Sequence, residues 1–157
     1  MADNYALSYH EILMKVNNKK DKPGKLEVLR RYDTEQLRMF LKGSFDPKCE
    51  WLLPEGAPPY KVNEAPIGTE HTWLKQEVKR MFHLLKGGNP QLNQMKRDNM
   101  FIQMLEGLSA EEAQLLIDAK DGLLNKKYKG LTANLIKEAF NWDDNFMTAE
   151  KKPSFPV

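Results

Sequence analysis

The chain of 157 residues carries a single cysteine, Cys49. One thiol can close no internal disulfide and supplies no cysteine-based zinc site. Long apolar runs are also missing. No stretch approaches the roughly 18 residues that a membrane helix requires, so no membrane-spanning segment is expected. An excess of one charge is absent too. Lys and Arg total 24 and Asp and Glu total 22, for a net charge of +2. A balance so near zero does not by itself announce a nucleic-acid binder. The N-terminus, Met1-Ala2-Asp3-Asn4-Tyr5, has neither the basic region and apolar run of a signal peptide nor the arginines of a transit peptide. Neither end carries a lipidation signal. An intracellular location is expected, and one cysteine suits a reducing compartment.

Catalytic and metal-binding patterns are equally sparse. The three histidines, His10, His71 and His83, have no metal-site spacing, and no phosphate loop, dinucleotide fingerprint or nucleophile elbow occurs. Cys49 has no neighbouring base that would activate it. Glu111-Glu112 reads as a first-turn acidic pair complementing a helix dipole. Asp143-Asp144, with Asn141 and Asn145, lacks the ligand number and spacing of a cation loop. The expectation is a protein without metal or cofactor and without enzymatic activity.

Hydrophobic residues at 41% and charged residues at 29% describe a globular chain. Its apolar residues recur at helical intervals. Tyr9, Ile12, Leu13 and Val16 share one face, and Ser8 with Glu11 has capping-box spacing. Pro23 suits the first turn of a second helix bearing Leu26, Leu29 and Tyr32. Asp33 and Gln36 mark a third start, with Leu37, Phe40 and Leu41 inside and Gly43 at its end. From Thr69, the stripe Leu74, Val78, Met81 and Leu85 predicts a long helix stopped by Gly87-Gly88. Asn89-Pro90 would open the next, carrying Phe101, Ile102 and Leu105 to Gly107. Ser109 with Glu112 is a second capping box, and Thr132 caps a last helix with Leu135, Ile136, Ala139 and Phe140. No period-two alternation is sustained. The expectation is an all-α compact bundle of about six or seven short helices in one domain, residues 1–147.

Between helices three and four lies a different segment, about residues 46–68. It holds Pro47, Pro54, Pro58, Pro59 and Pro66 with Gly56 and Gly68, so regular structure is improbable there. Trp51, Leu52, Leu53 and Tyr60 would pin this long ordered loop to the core, or, if exposed, would dock a protein partner. Residues 148–157 read as an extended tail, and Phe155 beside Pro156 is a second candidate docking element.

Two basic clusters carry the other candidate surface. On an α-helix Lys75, Lys79 and Lys86 fall within about 40° of one another, with Phe82 beside them. Such a row suits a phosphate backbone, and an aromatic can stack a base. Lys126, Lys127 and Lys129 surround Tyr128 just before the last helix. The competing reading is an ordinary solvated helix face, with Tyr128 and Phe82 in the core.

Three stretches resemble a family of small proteins from contractile-tailed phages of marine cyanobacteria and related hosts. They are Trp51 to Tyr60 (WLLPEGAPPY), Phe101 to Leu108 (FIQMLEGL), and Tyr128 to Thr132 (YKGLT) leading into Glu138 to Phe140. The similarity runs from about residue 8 to 146. It supplies no catalytic residues, and implies a phage protein located in the host cytoplasm or in the virion. The expected function is that of a non-enzymatic accessory protein binding a host or phage protein, in nucleic-acid metabolism or transcription. Direct nucleic-acid binding through the basic faces, and a minor virion or assembly role, are the alternatives.

Overall fold

A computed structural model describes residues 7–65 and 71–147. Within them the chain forms eight α-helices, one 3-10 helix and no strand. The helices are α1 (Tyr9–Asn18), α2 (Lys22–Arg31), α3 (Glu35–Phe45), α4 (Leu74–Glu77), a 3-10 helix (Val78–Leu84), α5 (Gln94–Gly107), α6 (Ala110–Lys120), α7 (Leu124–Lys127) and α8 (Ala133–Ala139). The all-α architecture follows from the helical spacing of the apolar residues. The count is higher than the sequence pattern suggests, because α7 has no amphipathic period of its own and the helix after residue 69 is split in two.

Most helix starts are written in the local sequence. Ser8 Oγ accepts from Glu11 N–H at 3.2 Å, and Glu11 returns the bond to Ser8 N–H at 2.9 Å. This reciprocal cap satisfies two donors that a helix terminus otherwise leaves bare. Asp21 caps α2 ahead of Pro23, and Thr132 caps α8. For α3 the cap is Thr34, not Asp33, which pairs with Arg38 instead. Helix α5 begins at Gln94 under an Asn93 cap, later than Asn89-Pro90 suggests. The intervening turn is held by Arg97, whose buried guanidinium donates to the carbonyls of His83, Asn89 and Leu92. Helix α3 runs past Gly43 to Phe45. Thr69, expected as a cap, lies outside the described residues, and α4 begins after Trp73.

One core unites the chain. Helix α1 packs on α2, α2 on α8, α3 on α6, and α5 on α6. Leu13, Leu29, Phe40, Leu105, Leu116 and Ile136 are buried within it. Buried polar groups lock these contacts. Glu112 in α6 accepts from Tyr9 N–H at 3.1 Å and Leu74 N–H at 2.9 Å, the first residues of α1 and α4. Ser109 caps α6 as its spacing predicts, but the Glu112 carboxylate does not close a capping box or sit in solvent beside Glu111. It ties two other helix termini to α6, and burial raises its pKa above the ordinary carboxylate value.

Residues 46–65 form no helix and cross the surface through turns. Pro66 and Gly68 lie outside the described residues. The described part is held at several points. Trp51 Nε1 donates to Gly43 O at 2.8 Å, and Leu52 N–H donates to Leu84 O at 2.8 Å. Trp51 also makes an isolated antiparallel bridge with Leu85. Farther on, buried Lys120 donates to Pro54 O at 2.9 Å, and Asp121 accepts from Gly56 N–H at 3.0 Å.

A basic cleft as the candidate functional site

The segment after Trp73 decides where the cations fall. Its first turn, α4, is α-helical, and from Val78 the chain tightens into a 3-10 helix of seven residues. That helix has three residues per turn, so side chains at i and i+3 lie in line. The apolar residues follow the same period. Val78, Met81 and Leu84 are buried, whereas Leu85, the expected fourth member of the stripe, is extended and half-buried. The expected row of Lys75, Lys79 and Lys86 therefore does not form. Lys86 lies beyond the helix end, where its N–H donates to Glu50 O at 2.9 Å and its ammonium stands 3.9 Å from the Glu50 carboxylate.

Lys75 and Lys79 remain together and line a cleft of about 490 Å³ between α1, the α2–α3 turn and α4. Arg31, from the last turn of α2, joins them. Among the described residues the acid in the lining is Asp33, and Arg38 holds it through two bonds of 2.6 and 2.5 Å. The nearby Glu77 pairs with Arg80 at 2.9 Å. The ammonium of Lys75 lies 5.5 Å from the Trp73 ring centroid, and Arg31 lies 5.8 Å from that of Tyr32. Each cation thus lies over the face of an aromatic ring that attracts it. Thr34 brings the N-terminus of α3 to the same cleft, and its hydroxyl accepts from Leu37 N–H at 3.1 Å. Tyr9 forms part of the inner wall. It is 3% exposed, and its hydroxyl has no hydrogen-bond partner at bonding distance. Burial pushes this phenol far above its ordinary range, so it stays a neutral donor. A concavity lined by Arg31, Lys75 and Lys79, whose acid among the described residues is paired with Arg38, is suited to an anion of phosphate type.

The remaining sequence candidates lie elsewhere. Tyr128 is fully buried, contacts His10 Nδ1 at 3.1 Å through its hydroxyl, and cannot stack a base; burial pushes its pKa up to about 12. Lys126 and Lys129 are exposed, and Lys127 stands 3.9 Å from Asp118. None of the three lines the cleft. Phe82 is 45% exposed and lies outside the lining. Trp51, Leu52 and Leu53 are half-buried, and Trp51 and Leu53 pack against the protein's own core, so this segment clamps the fold rather than forming a free docking patch. Phe155 and the tail lie outside the described residues. Arg31, Tyr9 and Thr34 were not legible as site residues. Their own sequence neighbourhoods show only helix ends, and they meet Lys75 through tertiary packing.

Among the described residues no group of three or more His, Cys, Asp or Glu is placed to hold a metal ion, and no helix is long and apolar enough to cross a membrane. The fold and cleft thus define a small all-α protein with a basic concavity. The profile of the family of unknown function DUF6433 matches residues 12–126, and the chain belongs to that family. No curated protein and no solved structure matches it.

Proposed function

We propose that this is a non-enzymatic nucleic-acid-binding accessory protein that grips phosphate through the cleft of Arg31, Lys75 and Lys79. The observation that carries the reading is that three cations, from two distant stretches of sequence, line one cleft whose acid among the described residues, Asp33, is held by Arg38. Lysines on an ordinary solvated face have no reason to converge on a concave surface. The resemblance to phage proteins supports an accessory role in the infected host cell. A protein partner in transcription or nucleic-acid metabolism is less well supported, because Trp51 and Leu53 are turned inward.

The test is fluorescence anisotropy with labelled oligonucleotides. Three phosphate contacts to a single strand predict affinity falling roughly tenfold to twentyfold between about 50 and 200 mM salt. Replacing Arg31, Lys75 and Lys79 together by Gln should abolish retention while the circular dichroism stays that of the parent. Unchanged affinity in that variant would reject the cleft. Replacing Lys126, Lys127 and Lys129 should have little effect.

A further inference from the structure

The 3-10 helix does more than carry Lys79. Its threefold period places Phe82 in line with Lys79, one turn or about 6 Å farther along the axis. Phe82 is an aromatic left 45% exposed on the helix that carries Lys79, and its neighbours restrain it. The His83 ring lies against it, with centroids 3.8 Å apart and planes inclined by 35°. Asn89 holds His83 in turn, Nδ2 to Nδ1, at 2.9 Å. Gly88 closes over the Phe82 backbone so tightly that a Cβ there would stand 1.9 Å from Phe82 O. A ring held in this way loses little freedom when a flat ligand stacks on it.

We propose that the cleft and Phe82 form one single-stranded nucleic-acid subsite, in which Lys79, with Lys75 and Arg31, holds a phosphate and the Phe82 ring stacks the attached base. The inference rests on the cleft being a phosphate site and adds what the phosphate is attached to. Three points favour a single strand over a duplex. The cation row is broken at Lys86, whose ammonium stands 3.9 Å from the Glu50 carboxylate, so among the described residues no long basic track continues from the cleft to follow a double helix. The second basic cluster does not extend the cleft. A stacking platform one helical turn from a phosphate site is useful only to a base freed from its pair, and base stacking on an aromatic is tolerant of sequence.

The deciding experiment compares three labelled ligands of about 12 nucleotides: a thymidine single strand, the same length of duplex, and a single strand of abasic residues with the same number of phosphates. The single strand should bind roughly tenfold more tightly than the abasic strand. Phe82→Ala should erase that difference without unfolding the protein. Phe82→Trp should keep it, and the new indole fluorescence should be quenched by thymidine strands but not by abasic ones. Equal binding of abasic and thymidine strands, a preference for duplex, or indifference to Phe82→Ala would overturn the single-strand subsite and leave the phosphate cleft standing. Failure of all three ligands to bind would overturn both.

Discussion

At the scale of single residues, the most consequential side chain is Glu112. One carboxylate receives the terminal N–H groups of α1 and α4 while its own N–H is capped by Ser109. Glu112→Ala leaves two buried donors unpaired and should cost about 2–4 kcal/mol in urea unfolding. Glu112→Gln, which offers one acceptor oxygen, should cost about half as much. Because burial raises the Glu112 pKa, the native state binds a proton more readily than the unfolded chain, and this group's contribution declines as pH rises above 4.5. His10 has the opposite sign. Burial foremost, and then Lys127, lowers its pKa from 6.5, so the folded state favours the neutral ring. Its contribution is full above pH 6.5 and is lost as pH falls through the lowered value. A pH series of urea titrations should show His10→Gln flattening the stability curve below pH 6.5. A parallel slope in that variant would place the acid sensitivity elsewhere.

Among the elements, the 3-10 helix is where reading the sequence with one period goes astray. Leu74, Val78, Met81 and Leu85 satisfy an α-helical stripe, and Val78, Met81 and Leu84 satisfy a three-residue one. Local pattern cannot choose between them. The choice comes from outside, where Trp51 and Leu52 take up Leu85 and the Leu84 carbonyl. Leu84→Ala should therefore cost about 3 kcal/mol and Leu85→Ala about 1 kcal/mol, measured by thermal unfolding. The reverse order would mean that the segment is an α-helix in solution. By contrast, the starts of α1, α6 and α8 were legible, because a Ser or Thr three residues ahead of its donor is chemistry contained in four residues. Lys75 and Lys79 were legible as cations four apart. Arg31 was not, because more than forty residues separate it from them and only the packed fold brings it near.

For the whole molecule, the interlocked core predicts one cooperative event. Unfolding followed by tryptophan fluorescence and by circular dichroism should give coincident transitions. Trp51, Trp73 and Trp142 report from the loop, the start of α4 and the end of α8, so a separate early fluorescence step would show that one of these regions opens alone. The same interlocking has a consequence during synthesis. Helix α2 rests on α8, and Arg30 donates to the carbonyls of Glu138 and Ala139, residues more than a hundred positions away. A ribosome therefore releases α2 long before its packing partner exists. Until α8 emerges, the face of α2 that packs on it has no complete shelter. The joining of these two helices is thus a late event, open only once Ala139 has left the ribosome.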